Sequence, residues 1–336
     1  MTGVRRALVA TLIAIVVCAG ALVSAAGLWF RNAVYGDHSS PRTMTQIVIP
    51  RGSTFSDVTA ILAQRGVIQN RLAFRLLARL RRVDSDVKAG EYRFPAYQNE
   101  DAVLRALVSG GAQIAVWVTI PEGYTSKEIA STLAAHDISS QSALERAFQR
   151  GSLVFAGERT KNLEGFLFPS TYLIPVSASA EVTEKLLTDQ FKKELPPDAP
   201  AKARKLKMSV PQIVTLASLI EREAKADDER ALMAGVYYNR LRIGMPLEVD
   251  ATIEYVFPQH KAEISKADLA VDSPYNTYKR PGLPPTPIAN PGRPSLWAAF
   301  NPQSSAYLYY VYKGDGHHAF ARTLAEHNAN VARYLK

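Results

Sequence analysis

Thiol chemistry is nearly absent: 336 residues carry one cysteine, Cys18. One thiol excludes a disulfide framework and a thiolate metal cluster. Histidine is sparse as well. His38, His136, His260, His317, His318 and His327 form no His-Glu-x-x-His pair, and the adjacent His317 and His318 would point apart on a strand. Neither a metal nor a cofactor is expected. Tryptophan is scarce (3) beside tyrosine (15), a balance that suits a groove for something polar and flat-faced. Charge is missing from one long run only, Ala7 to Phe30. As a helix it would span roughly 36 Å at ~1.5 Å per residue, against a hydrocarbon core of ~30 Å. Arg5 and Arg6 precede it, which keeps residues 1–6 cytoplasmic and sends the rest outward as a single-pass protein of the plasma (inner) membrane. A cleaved signal peptide is the other reading, since Val23-Ser24-Ala25 has small-residue spacing.

What is present is a composition with 47% hydrophobic and 21% charged residues, ordinary for packed domains rather than disorder. The formal net charge of +9 favours anionic headgroups and anionic wall polymers as partners of an exported chain, not nucleic acid. Residues 31–45 are polar with Pro and Gly and read as a linker. A β-run follows, Gln46 to Pro50, then a turn at Gly52 and capping residues Ser53 to Asp57 ahead of Val58, Ile61 and Leu62. A second helix is expected over Arg71–Arg82 and a second strand from Lys88 to Phe94. The unit has an echo: Ile49-Pro50-x-Gly52-x-Thr54-x-x-Asp57-Val58 is matched by Ile120-Pro121-x-Gly123-x-Thr125-x-x-Glu128-Ile129. The same device occurs twice, a strand stopped by proline, a glycine turn, and a helix with its acid in the first turn. The strand–helix–helix–strand layout over 46–97 resembles the LysM module. That resemblance implies either binding of glycans containing N-acetylglucosamine or a rigid spacer.

Residues 209–225 form the best-defined helix after the first. Ser209 is the expected N-cap, Pro211 lies in the first turn and Gln212 three residues on. Ile213, Leu216, Ala217, Ile220 and Ala224 make an apolar stripe. Two acids follow, Glu221 and Glu223, roughly 200° apart around the axis. Glu223 has Leu219 and Ile220 at i−4 and i−3, so ionising it is costly and its pKa should rise toward the range of a general acid. Glu221 has Ser218 and Lys225 as neighbours, a polar setting with an ion-pair option.

Further motifs are Leu163-Glu164-Gly165-Phe166-Leu167-Phe168-Pro169, Tyr237-Tyr238-Asn239-Arg240-Leu241, Glu248-Val249-Asp250-Ala251-Thr252, Ser273-Pro274-Tyr275-Asn276-Thr277-Tyr278, and the proline-stiffened loop Gly282 to Gly292. Tyr307 to Val311 reads as a buried strand. In this order the segments resemble the endolytic murein transglycosylases, the YceG-like family. The resemblance implies a catalytic glutamate at the second acid of the Glu-x-Glu pair, Glu223, acting alone. That residue would cleave the bond between N-acetylmuramic acid and N-acetylglucosamine within peptidoglycan strands and leave 1,6-anhydro ends. It implies work close to the membrane, alongside peptidoglycan synthases, in setting glycan length. Glu221, Glu164, Asn239, Asp250 and Asn276 are candidates for holding sugar hydroxyls or orienting the glutamate. Ser170, Glu248 and Ala251 depart from the family's common residues, which bears on subsites and not on Glu223. A non-catalytic peptidoglycan-binding scaffold is the alternative. The expected fold is α+β: a transmembrane helix over 7–30, a linker over 31–45, a LysM-like βααβ module over 46–115, and a mixed α+β catalytic domain over 116–336 whose first part, 116–155, is a partial repeat.

Overall fold

The computed structural model describes residues 2–36, 40–50, 52–257 and 264–335; His38, His260 and residues 37–39 of the expected linker lie outside them. The chain divides into two compact units, Met1–Val116 with Pro175–Ala178, and Trp117–Ile174 with Ser179–Lys336.

The first unit opens with α1 (Thr2–Tyr35), of which Thr11–Tyr35 is long and apolar enough to cross a membrane, a property shared by anchors and signal sequences. The helix does not stop at Phe30. Phe30 and Ala33 are half-buried and Val34 is fully buried in the unit's core. The polar stretch 31–45 is therefore helix at one end and strand at the other, because Val34 gains a packing site that composition does not reveal. Strand β1 (Ser40–Ile49) pairs antiparallel with β2 (Gly90–Ala96), Ile47 opposite Tyr92 and Ile49 opposite Gly90. Between them lie α2 (Phe55–Gln64) and α3 (Arg71–Arg81), giving the strand–helix–helix–strand order. Val58, Leu62, Phe74, Leu77, Tyr92 and Phe94 fill the interior, each large side chain contributing about 1.5–3 kcal/mol of burial. A further helix, α4 (Glu100–Ser109), was not signalled by its polar start. Glu100 is buried there because it accepts backbone N–H bonds from Gln69 and Asn70 at the head of α3, at 3.1 and 2.8 Å. Asp101 is buried between Arg81 and Arg105.

Past β3 (Ala115–Thr119) the layout recurs as α5 (Ser126–Ala135) and α6 (Gln141–Arg150). After them come a hairpin, β4 (Val154–Phe155) with β5 (Glu158–Arg159), and β6 (Thr171–Pro175), which pairs with β3. The echo in sequence is an echo in structure. Thr54 with Asp57, and Thr125 with Glu128, both close capping boxes. Gly52 and Gly123 both turn in the left-handed region, at φ 75° and 78°, where an L side chain is strained. The likeness continues beyond the quoted residues: Val67 N–H bonds Leu62 O and Ile138 N–H bonds Leu133 O at the two helix ends.

Helices α7 (Ala180–Glu194) and α8 (Ala199–Leu206) lead to α9 (Val210–Glu223), capped by Ser209 and Gln212 as expected from their spacing. A 3-10 turn, Asp227–Glu229, then precedes α10 (Arg230–Arg242), α11 (Asp250–Glu254), α12 (Arg293–Phe300), the antiparallel hairpin β7 (Tyr309–Tyr312) with β8 (His318–Ala321), and α13 (Leu324–Tyr334). The expected apolar stripe on α9 is too narrow a description. Every residue from Ile213 to Ile220 is buried, since α8, α10, α11 and α12 all pack on this helix. Thr215 and Ser218 satisfy their hydroxyls on the backbone oxygens of Pro211 and Thr215, so polar residues cost little in this setting.

Candidate active site

Glu223 ends α9 and keeps part of its surface open to solvent, while its carboxyl is enclosed on the protein side. Tyr310, on β7, donates to Glu223 Oε2 at 3.1 Å. Tyr237, on α10, lies 2.8 Å from the Tyr310 hydroxyl. With Tyr310's proton on the carboxylate, Tyr237 donates to Tyr310, and the two rings meet edge to face with centroids 6.1 Å apart. The backbone N–H of Ala251, in the first turn of α11, also bonds the carboxylate. Burial pushes the Glu223 carboxyl up to about 7, and the nearby Asp250 charge adds to the rise. The bonds from Tyr310 and Ala251 and the charge of Lys225 oppose it. Burial likewise pushes the Tyr237 and Tyr310 hydroxyls well above their ordinary value, with the Glu223 charge next, so both stay protonated donors. The outcome is a carboxyl balanced near neutrality with one oxygen fixed.

Long-range ties hold these groups in place. Arg240 is buried and donates to Leu308 O at 2.6 Å, to Pro246 O at 2.9 Å and to Glu248 Oε2 at 2.9 Å. It thus joins α10 to the start of β7 and to the approach of α11. Asn239, a candidate sugar ligand, serves the same joint, because its amide donates to Ser305 O and Tyr307 O, each at 2.9 Å. Gly235 lets that segment approach, since a Cβ there would lie 2.2 Å from Gln303 O. Asn276 is fully buried and shapes its own turn, donating to Leu269 O and Val271 O and accepting from Tyr278 N–H. The turn presents Thr277 to Val249 N–H at 3.0 Å, and Tyr278 to Asp250 Oδ1. Of the candidates, Asp250 alone is brought to Glu223.

Glu221 differs from the polar setting expected of it. Its side chain is 6% exposed, accepts the Gly292 N–H at 2.9 Å and faces Arg230 at 3.6 Å, not Lys225. Because α9 is enclosed, the first acid of its pair meets the 289–292 loop instead of solvent. Glu164 is buried and saturated with donors: Ser126 N–H at 2.9 Å, Ser126 Oγ at 2.8 Å, Asn290 Nδ2 at 3.0 Å and Tyr255 hydroxyl at 3.3 Å. Asn290 in turn accepts from Leu167 N–H at 2.8 Å. Next to it Gly165 (φ 86°) leaves room for Pro287, whose Cβ a side chain would meet at 2.4 Å.

A cleft of about 620 Å³ lies along this node, lined by Glu164, Ser126, Arg222, Ala251, Glu254 and Tyr255 among others. Glu223 is not among the lining residues of this cleft; Arg222, its chain neighbour, and Ala251 are. The proline loop lines a separate cavity of about 500 Å³ at the other end of α9, beside Gln212, Thr215 and Arg159. Among the described residues no group of three or more His, Cys, Asp or Glu is placed to hold a metal ion. His318 instead donates its backbone N–H to Glu229 and sets Nδ1 3.0 Å from it.

Sequence reasoning missed Tyr310, Tyr237 and Tyr278 as neighbours of the site. The alternation in Tyr309-Tyr310-Val311-Tyr312 was the available signal for Tyr310, since a strand sends alternate residues to one side.

The chain is similar to known proteins over most of its length. The chain is 32% identical over 337 residues to an endolytic murein transglycosylase of Bacillus subtilis (strain 168), covering 94% of this chain and 91% of that one. It is 29% identical over 332 residues to an endolytic murein transglycosylase of Streptococcus pneumoniae serotype 2, covering 89% of this chain and 60% of that longer one. The crystal structure of a yceG-like protein from Listeria monocytogenes superposes with a TM-score of 0.58 at 32% identity, over 85% of this chain and 99% of that one. The sequence pattern of the YceG-like family matches residues 47–333. From its first paired strand to its last helix, then, the chain belongs to the YceG-like family.

Proposed function

We propose that the protein is a lytic transglycosylase that cleaves peptidoglycan strands internally with Glu223 as its one acid/base. The observation that carries this is the state of Glu223: a carboxyl pushed up to about 7 and held on one oxygen by Tyr310. A group poised near neutrality serves both as acid and as base. Protonated Glu223 gives its proton to the oxygen between N-acetylmuramic acid and N-acetylglucosamine, and the C1–O bond breaks. The resulting carboxylate takes the proton of the muramic C6 hydroxyl, whose oxygen bonds C1. No water is added and Glu223 ends protonated. Two-carboxylate hydrolysis needs a second acid at a set separation; Asp250 acts here through its charge, keeping the proton on Glu223 and facing the cation that develops at C1.

The names carried by relatives at 32% and 29% identity support this substrate and reaction. On this reading α1 is a single-pass anchor with the bulk of the chain outside the plasma membrane. The βααβ module is LysM-like and either grips N-acetylglucosamine-containing glycan or spaces the cleft. Tethering raises the local concentration of newly made strands, so the cut ends glycan elongation alongside the synthases.

The test is product mass. The ectodomain acting on purified peptidoglycan should release fragments about 18 Da lighter than hydrolysed ones, because water is not added. Glu223→Gln, still folded, should release none. Hydrolysed fragments would make the enzyme a hydrolase, and no release from the native chain would leave a wall-binding scaffold.

A further inference from the structure

Helix α3 has more apolar surface than the core of its unit uses. Ala73, Phe74, Leu77 and Ala78 face inward, yet Leu72, Leu76 and Leu80 stand 67%, 41% and 65% exposed. At 100° per residue these leucines, four apart, form one stripe. Arg71, Arg75, Arg79 and Arg82, all exposed, form a second band along its edge. Such a helix, with an apolar stripe beside cations, has the composition of one lying in a membrane interface.

The neighbour of α3 says which surface that is. Helix α1 packs on α3 and α4 through its C-terminal turns, where Phe30, Ala33 and Val34 enter the core. Residues 11–29 of α1 are exposed and largely apolar, and Trp29 and Arg31 are the residue types found at the membrane–water boundary. From Trp29 to Val34 the helix rises only about 7–8 Å. Whatever packs on Phe30–Val34 thus sits within about one and a half turns of the hydrocarbon edge, and interfacial helices sink ~5–10 Å into that boundary. Arginine stems reach upward to phosphates while the leucines face the acyl chains.

We infer that α3 is a second, interfacial membrane contact: Leu72, Leu76 and Leu80 insert beside the anchor, and Arg71, Arg75 and Arg79 bind anionic lipid headgroups. The inference rests on the anchor reading of α1 and is independent of the catalytic one. Its function would be orientational. One spanning helix leaves a domain free to swivel, whereas a second contact fixes one face of the first unit to the bilayer.

The test uses the full chain with Cys18→Ser and Leu76→Cys, labelled at the new thiol with an environment-sensitive fluorophore. It is reconstituted in phosphatidylcholine vesicles with or without phosphatidylglycerol, with quenchers placed either high in the acyl chains or in the water as iodide. Lipid quenchers should dim the label, with about twofold stronger quenching when phosphatidylglycerol is present, and iodide should not reach it. Arg71, Arg75 and Arg79 changed together to Gln should abolish the phosphatidylglycerol effect, and Leu72→Ser with Leu80→Ser should reduce lipid quenching. A label open to iodide, or shielded from both quenchers, overturns the proposal. Equal quenching in both lipids removes its headgroup half. A chain that fails to float with vesicles overturns the anchor and α3 together, whereas release of anhydro fragments reads the catalytic proposal separately.

Discussion

Two carboxyls in the second unit, Glu223 and Glu164, are each pushed up to about 7, in both cases chiefly by burial. Their surroundings nevertheless differ in kind. Glu164 is 3% exposed and its two oxygens receive bonds from Ser126, Asn290 and Tyr255, donors drawn from three separate segments. Glu223 has Tyr310 as its side-chain donor, together with the Ala251 N–H, and the residue is half-buried, with part of its surface open to solvent. A displaced pKa marks a carboxyl that is costly to ionise; it does not mark one that can reach a substrate. Free hydrogen-bonding capacity on a solvent-reachable side does, and Glu223 is half-buried where Glu164 is buried. Glu164 is tied off by its donors, whereas Glu223 retains the capacity that the proposed role requires.

The comparison is broken most directly by removing each group. Glu223→Gln should lose at least about a thousandfold in activity, near the upper part of what a general acid contributes, with its melting temperature unchanged or raised. Glu164→Ala should do the reverse. Four donors would lose their acceptor at once, and about 3 kcal/mol of stability should go with them, read as a lowered midpoint in denaturant. Residual activity of that variant, normalised to folded protein, should stay within about tenfold of the parent. A Glu164 variant that melts normally but is inactive would erase the distinction.

The contrast also separates what residue order discloses from what it hides. Local chemistry was legible. Ser209, Pro211 and Gln212 placed the start of α9, the paired Thr and acid of both repeats placed α2 and α5, and the greasy i−3 and i−4 neighbours of Glu223 picked the right acid for a raised pKa. Everything that depends on segments meeting across the fold was not. Tyr310 lies 87 positions from Glu223, and Asn290 lies 126 from Glu164. Capping and periodicity rules act within a turn or two and are silent at that range. For the same reason α4 was invisible: Glu100 and Asp101 look solvated until Gln69, Asn70 and Arg81 are brought to them.

Smaller changes sharpen the picture by moving Glu223's titration without deleting it. Activity that needs a protonated Glu223 falls as pH rises through about 7. Tyr310→Phe removes a donor that favours the carboxylate, so the alkaline limb of kcat/KM should move up in pH, with about a tenfold loss at the optimum from a less fixed carboxyl. Asp250→Asn removes the charge that helps hold the proton, so the limb should move down. Glu164→Gln should leave the limb where it is. Limbs that shift together for Tyr310→Phe and Asp250→Asn would show that another group titrates.

The smallest effect is on stability against pH, and its sign follows from the raised pKa. Glu223 binds its proton more tightly in the folded chain, about 7, than in the unfolded chain, near the ordinary 4.5. Between those values the folded state carries more protons, so its stability declines as pH rises. The contribution is complete below about 4.5 and gone above about 7. Allowing for the open side of the site, it should amount to about 1–2 kcal/mol. Glu223→Gln cannot titrate, so its denaturant midpoint should overtake that of the parent as pH climbs through this window, and the two should converge in acid. If the curves run parallel from pH 4.5 to 7, Glu223 is ionised throughout, and its proton is not available for the chemistry assigned to it.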